Sequence, residues 1–326
     1  MAVYNAEPWL DEALRSLLGQ SLREIEILAV DDASTDRSLG ILLDHARCDD
    51  RLRIFRHDRN QGQAVARNLA LRHARGRYVC MVDADDRLSP DALRDAVAVF
   101  HDHPHTDCVL FRLVFHWQAD GRLEDYPSPP PSTSLPEPTA YTGFEAFTLS
   151  LDWTLHGLYL VRRDLHLRYP YDDSLPLYSD DNTTRLHYLH SREVRLSPGI
   201  YYYRKHDRSA TTAISERSFL YMQANLGMKR TLEREGVPAA TLARYELYRW
   251  HVFLSQLWLY YAHRHRFDPA TRKNIRNDFR CVYQTFGHHR PFLFVYTEQY
   301  LRWLRRRLLD RLRRAFRYYP MKRIIL

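Results

Sequence analysis

An α/β fold, with helices on both faces of a mostly parallel sheet, is what the first hundred residues predict. Apolar runs of strand length alternate there with stretches of helical periodicity, the order expected of a covered parallel sheet. Two of the runs, residues 25–30 and 78–82, stop at acids: Asp31-Asp32 in one case, Asp83 in the other. Sheets of this kind bind ligands outside the carboxyl ends of their strands. Both acidic clusters stand at such an end, so function is sought there.

Each element follows from its spacing. Leu10, Leu14, Leu17 and Leu18 mark one face of a helix after Pro8, because positions three and four apart share a helical face. After the strand at 25–30, Leu39, Leu42, Leu43 and Ala46 mark a second helix, and Leu52 and Ile54 alternate with arginines in a brief strand. Val65, Leu69 and Ala74 give a third helix, leading into the buried strand 78–82. Ser89-Pro90-Asp91 then supplies an N-cap, a first-position proline and a first-turn acid ahead of Leu93, Val97 and Phe100. A strand is expected over 107–117, an extended loop over the six prolines of 126–141, and a helix over 143–150. Strands follow at 158–161 and 199–204; beyond Ser215 the pattern is helical, with breaks at Gly236-Val237-Pro238 and Gly287. Two domains are expected, 1–214 as the catalytic part and 215–326 as a basic helical region.

Composition narrows the class. Hydrophobic residues at 45% and charged residues at 27% describe a globular chain rather than a disordered one. Cys48, Cys80, Cys108 and Cys281 lie far apart without a C-x-x-C pair, so neither a zinc site nor a disulfide framework is expected. No run reaches the ~20 apolar residues of a membrane span, and no secretory leader is visible at Met1. A reducing, cytoplasmic location is the expectation, with the inner face of the cell membrane as a possible resting place. The 22 tyrosines suit either sugar-binding surfaces or half-wet cores. The net charge of +8 is uneven, with ten Arg or Lys and the single acid Asp310 between Arg302 and Arg323.

The chemistry is concentrated in a few motifs. Asp83-Ala84-Asp85-Asp86 ends a hydrophobic strand. A departing diphosphate gains negative charge, and Mg²⁺ or Mn²⁺ held by one or two carboxylates offsets it. One acid of the turn can then face a ribose and another the metal; the alternative is a solvated turn capping the next helix. In Val30-Asp31-Asp32-Ala33-Ser34-Thr35-Asp36 a carboxylate can accept a uracil N3–H, while Ser34 or Asp36 caps the following helix. Asn60-Gln61-Gly62-Gln63 precedes Ala66-Arg67-Asn68, where Arg67 can reach a diphosphate or pair with Asp31 or Asp83.

Taken together these residues resemble the family 2 glycosyltransferases, which have a GT-A fold. Val3-Tyr4-Asn5-Ala6-Glu7, Val30 to Asp36, Asn60 to Asn68 and Asp83 to Asp86 stand in the family's order and spacing. The likeness is close over about residues 1–115 and looser to about 212. Trp153 to Arg163 resembles a W-x-K-L-Y-R-R segment with His156 in place of Lys, and Ser179-Asp180-Asp181-Asn182 resembles the segment whose second acid is the family's base, with Asp180 in place of Glu. Tyr203-Arg204-Lys205-His206 with Ser209 resembles a following Y-R-x-H-x-x-S. Family members begin with an apolar strand before the Val-Tyr-Asn segment, whereas Met1-Ala2 is all that precedes it here, so either the true start lies upstream, which is the expectation, or the first strand is truncated and the protein impaired.

The resemblance implies an inverting transfer from a nucleotide-diphosphate sugar, with a UDP-sugar expected, to a hydroxyl of a glycan or lipid-linked acceptor in envelope polysaccharide or glycolipid synthesis. Asp181 would be the base, with Asp180 as the other candidate. Asp85 and Asp86 would hold the metal, with His206 as a further ligand or a structural histidine. Tyr4, Asn5, Glu7, Asp31, Asp32, Arg67, Asp83 and Ala84 would contact the donor. A sugar nucleotidyltransferase would need a Gly-rich, Arg-containing phosphate loop near the N-terminus, which the sequence lacks. A catalytically impaired basic binding protein is the other alternative; the acids at the strand ends oppose nucleic acid as its partner. Leu301, Leu304, Leu308, Leu312 and Phe316 form one stripe of a basic amphipathic helix, which either lies on an anionic membrane or packs on the catalytic part.

Overall fold

The computed structural model describes residues 1–137, 139–174, 178–206 and 214–286. The basic helix expected over 301–316, Ser209 and the break at Gly287 lie outside the described residues. By internal contacts the chain divides into Met1–Phe279 and Arg280–Leu326.

β1 (Ala2–Val3), β2 (Ile27–Asp31) and β3 (Leu52–Arg56) form a wholly parallel sheet with β2 in the middle. All five residues of β2 are buried, which matches its unbroken apolar character. β1 aligns Ala2 with Val30 and Val3 with Asp31, and the Met1 amino group donates to the Leu28 carbonyl at 2.9 Å. α1 (Glu7–Leu18), α2 (Ser38–Cys48) and α3 (Gln63–His73) complete this layer. α1 begins at a glutamate and a proline, and it buries Trp9, Leu10, Ala13, Leu14 and Leu17 along one stripe. Each leucine so buried contributes about 1.5–3 kcal/mol.

A second sheet contains β4 (Tyr78–Cys80), β5 (Arg87–Leu88), β6 (Thr106–Trp117), β7 (Leu123–Asp125), β8 (Ala140–Thr142), β9 (Tyr159–Arg162) and β10 (Glu193–Lys205). Its strands run β4-β9-β6-β10-β5, with β7 on β6 and β8 on β10. Among the described residues, β6 and β10 are the one parallel pair of this sheet, and its other pairs are antiparallel. The parallel order read from the first hundred residues thus belongs to the first sheet, and the larger sheet is mixed. Short connections explain part of this. The turn between β6 and β7 is too brief for a crossover, and Gly121 takes φ +69° in it. β5, β7 and β8 are only two or three residues long and left no periodic signal.

α4 (Ala92–Asp102), α5 (Gly143–Ser150), α6 (Arg163–Arg168) and α7 (Ser179–Leu189) surround the second sheet, and α8 (Leu220–Arg234), α9 (Ala239–His263) and α10 (Pro269–Gln284) follow. α8 packs on α7 and α9 packs on α8, so the compact unit runs past the 214/215 division placed where the helical pattern begins. One apolar core joins α1 and α4 to β2, β6 and β10 through Leu10, Leu14, Ala29, Phe100, Phe111 and Tyr201. A second gathers Phe147, Tyr188, Met228, Leu232 and Tyr245 from α5, α7, α8 and α9, with Leu155 from the segment before β9.

The start of α4 differs from expectation. Asp91 rather than Ser89 is its N-cap and makes no side-chain cap bond. Ser89 Oγ instead accepts from Ile200 N at 2.9 Å, tying the turn to β10. Nearby, β10 slips register between Leu196 and Ile200, across Ser197-Pro198-Gly199. A bulge accommodates a proline that cannot donate to the ladder.

Candidate active site

Three strand ends and one helix start meet here: the ends of β2 and β10, the acidic turn after β4, and the first turn of α7. Asp31 and Asp32 are adjacent on β2 and its exit, and alternation sends their side chains opposite ways. Asp31 is fully buried. Its Oδ1 accepts from Ser34 N at 3.2 Å, and Arg56 Nε lies 3.5 Å from Oδ2. That Oδ2 has no hydrogen-bond partner among the described residues, an open acceptor of the kind a base N–H would fill. Asp32 is occupied instead. It accepts from His57 Nδ1 at 2.7 Å, Gln61 N at 2.9 Å and Gly62 N at 2.8 Å. It holds the loop that opens α3, where Gly62 takes φ +94°.

Asn5 and Glu7 also tie loops. Asn5 Oδ1 accepts from Thr35 N at 2.8 Å, and Glu7 Oε2 accepts from Arg37 N at 3.0 Å. Asp36 accepts from Glu7 N at 3.0 Å and from Ser38 N at 2.9 Å, so one carboxylate serves the starts of both α1 and α2. Among these residues Tyr4 presents its ring, being 51% exposed.

Asp83, Asp85 and Asp86 each offer an oxygen, and these oxygens lie within 4.8 Å of one another. Burial raises the Asp85 carboxyl above the ordinary carboxylate range, and the nearby Asp83 charge adds to it. Burial raises Asp86 further, reinforced by Asp85 and Asp83. Three carboxylates this close repel, and a divalent cation would relieve them. Their partners separate their roles. Asp86 accepts from Tyr201 Oη at 2.8 Å and from Arg204 N at 2.7 Å, which fastens the turn to β10. Asp85 Oδ2 lies 2.9 Å from His206 Nε2, whose ring stacks on Trp9 at 3.9 Å. Ala84 is buried between them.

Arg67 pairs with Asp83, one of the partners the sequence offers. It is buried, donates to Asp83 Oδ1 at 2.6 Å, and reaches Asp180 Oδ2 at 3.3 Å, with its guanidinium over the Tyr171 ring. One cation therefore bridges the acidic turn to the start of α7. Asp180 and Asp181 occupy the first turn of that helix, where a negative charge meets the positive end of the dipole. The residue before it, Tyr178, is held at φ +67°, a strained setting for a non-glycine. Burial raises Asp181 to about 7, and the Asp180 charge adds to the effect. His156 is buried and pushed down to about 4 by desolvation, and its Nδ1 accepts from Leu158 N at 3.2 Å. It is a neutral structural histidine.

Sequence reasoning missed Tyr201, Arg185, Tyr221 and Tyr248, all close to these acids. Arg185 stands one helical turn after Asp181 and was findable from that spacing. The tyrosines carry no local signal, since only the fold brings them in.

Residues 1–141 match the family model described as Glycosyl transferase family 2. An uncharacterized glycosyltransferase of Haemophilus influenzae is 42% identical over 93 residues, 28% of this chain and 37% of that protein. The poly(ribitol-phosphate) beta-N-acetylglucosaminyltransferase TarS of Staphylococcus aureus is 29% identical over 223 residues, 66% of this chain and 37% of its own length. The match thus spans little more than a third of either relative. The crystal structure of TarS 1–349 in complex with UDP-GlcNAc superposes with a TM-score of 0.59 at 22% identity, covering 86% of this chain and 79% of that one. The mannosyltransferase PcManGT of Pyrobaculum calidifontis, in complex with GDP-Man and Mn2+, gives 0.53 at 17% identity over 93% and 81%. At these identities the structural likeness is one of fold, and the fold is GT-A. Sequence motifs, family model and fold agree over this part of the chain: residues 1–141 are similar to glycosyl transferase family 2 and carry a GT-A fold.

Proposed function

We propose that this protein transfers a sugar, with inversion, from a UDP-sugar to an acceptor hydroxyl. The observation that carries the reading is the Asp83–Arg67–Asp180 bridge, which ties a carboxylate cluster suited to a metal to the helix turn bearing a carboxyl of near-neutral pKa. Asp31 Oδ2 accepts the N3–H of the base, and the exposed Tyr4 ring lies beside it. Asp83 and Asp85 would hold Mg²⁺ or Mn²⁺, with His206 orienting Asp85 and Asp86 bracing the turn. When bound, that cation offsets the charge gathering on the departing diphosphate. The crowded, partly desolvated acids fit it.

Asp181 takes the proton of the acceptor hydroxyl as the oxygen attacks the anomeric carbon, and the bond to the diphosphate breaks on the opposite face. A base with a pKa near 7 is matched to that task at neutral pH. Asp180 is committed to Arg67, which favours Asp181 as the base. Complexes of other GT-A proteins with UDP-GlcNAc and with GDP-Man and Mn2+ support the donor class and the metal. The relative that acts on poly(ribitol-phosphate) supports an envelope glycan or lipid-linked acceptor. No helix among the described residues is long and apolar enough to cross a membrane. The basic amphipathic segment over 301–316 is suited to holding a cytoplasmic enzyme on an anionic membrane face, where a lipid-linked acceptor would lie. Thermal shift with UDP tests the donor site: UDP with Mn²⁺ should stabilise the protein more than UDP with EDTA, and equal shifts would count against the metal.

A further inference from the structure

Arg185 lies on α7 one turn beyond Asp181 and has no exposed surface. Its guanidinium sits 4.8 Å from the Trp153 ring and 5.5 Å from each of the Tyr245 and Tyr248 rings. Nη1 reaches Asn182 Oδ1 at 3.4 Å, while Nε and Nη2 have no hydrogen-bond partner among the described residues. A buried cation with unmet donors is costly unless a negative charge faces it. Asp181 supplies that charge: the two interact, and Arg185 favours the ionised carboxylate against burial and the Asp180 charge.

Tyr221 of α8 reaches the same helix start: its ring centroid lies 4.7 Å from that of Tyr178, three residues before Asp181, and its hydroxyl favours the ionised Asp181. That hydroxyl lies 2.6 Å from Tyr248 Oη of α9 and accepts from Trp153 Nε1 at 3.2 Å. With Trp153 donating to it and Tyr248 able to do the same, the Tyr221 proton is left to point at Asp181. The remaining ionisable groups around Asp181 are Asp180 and Tyr178 beside it and Tyr245 on α9.

We propose that Tyr221, held by Tyr248 and Trp153 and backed by the buried Arg185 cation, is the positioning residue for Asp181, so that α8 and α9 orient the base of the reaction. The inference rests on the reading of Asp181 as that base. It assigns a task to helices that lie beyond the family match at 1–141.

A titration that needs no turnover tests it. The carboxyl carbons of ¹³C-labelled aspartates are followed by NMR in the full chain, and the Asp181 signal is identified by its loss in Asp181→Asn. Removing a donor to a carboxylate raises its pKa. In Tyr221→Phe the Asp181 midpoint should therefore move up by about half a unit or more, while affinity for UDP with Mn²⁺ stays within about twofold. Tyr248→Phe should move the midpoint the same way by less, and it decides the matter if Tyr221→Phe does not fold. A midpoint unmoved in both variants overturns the proposal. Activity of Asp181→Asn judges the base assignment separately, so the two failures are distinguishable.

Discussion

Asp181 is held between opposing forces: burial and the Asp180 charge favour its proton, while Arg185 and Tyr221 favour its loss. The balance raises it from 3.8 to about 7. A carboxyl raised on folding costs stability once ionised; the cost is full above pH 7 and fades as the pH falls from 7 towards 4. Asp181→Asn removes that cost. Transfer should fall by about a hundredfold or more, donor binding should persist, and the variant should melt higher than the parent at pH 8 with the gap closing at pH 5. A lower melting temperature at pH 8 would mean that the ionised carboxylate supports the fold. At this scale the sequence was partly legible. Asp31, Asp83 and Asp85 were findable because acids ending apolar strands announce themselves. Asp32 was indistinguishable from Asp31, because only the fold decides which of two adjacent acids turns to the loop. Asn5 and Glu7 have donor-site spacing but spend their side chains on neighbouring loops.

Among the elements, the joint between β10 and α4 is set by one glycine. A Cβ added to Gly199 would lie 2.6 Å from Ala92 Cα and 2.8 Å from Ala92 O, backbone that cannot swing aside. Gly199→Ala should cost about 1–3 kcal/mol, read as an earlier urea midpoint with an unchanged slope. A midpoint equal to the parent's would show that the bulge yields. The space beside β1 makes a second case. Among the described residues β1 pairs with β2 and β4 with β9, and a cavity of about 470 Å³ is lined by Met1, Leu28, Ala70, Val79 and Cys80 among others. Lengthening β1 by four apolar residues before Met1 should place new backbone in that cavity. The melting temperature should rise by several degrees; no rise would mean that the slot does not accept a strand. Elements with strong periodicity, such as α1 and β2, were legible from sequence. The direction of β6, β9 and β10 was not, because pairing across fifty or more residues leaves no local trace.

At the scale of the whole molecule, the proposed site draws on parts far apart in sequence. The strand-end acids come from the first hundred residues, the proposed base from α7, and its surroundings from α8 and α9. The expected boundary at 214/215 followed the change to a continuous helical pattern, and Tyr245 packs in one core with Tyr188 and Val194. Periodicity records local structure, whereas the compact unit is defined by what is buried. The basic amphipathic segment at 301–316 makes a claim of its own. At low salt the full chain should co-sediment with anionic liposomes, and truncation at Glu298 should abolish this, each basic residue at the surface contributing ~1 kcal/mol. Binding that survives truncation would assign the membrane contact elsewhere.

The central claim is metal-assisted release of a nucleoside diphosphate from its sugar by the acids gathered at these strand ends. Incubation of the protein with a panel of UDP-sugars and Mn²⁺, with free UDP measured, tests it most directly. The account predicts UDP release from at least one donor, its loss with EDTA, and a fall of about a hundredfold or more in Asp85→Ala with the fold intact. Release that ignores both EDTA and Asp85→Ala, or pyrophosphate in place of UDP, would contradict it.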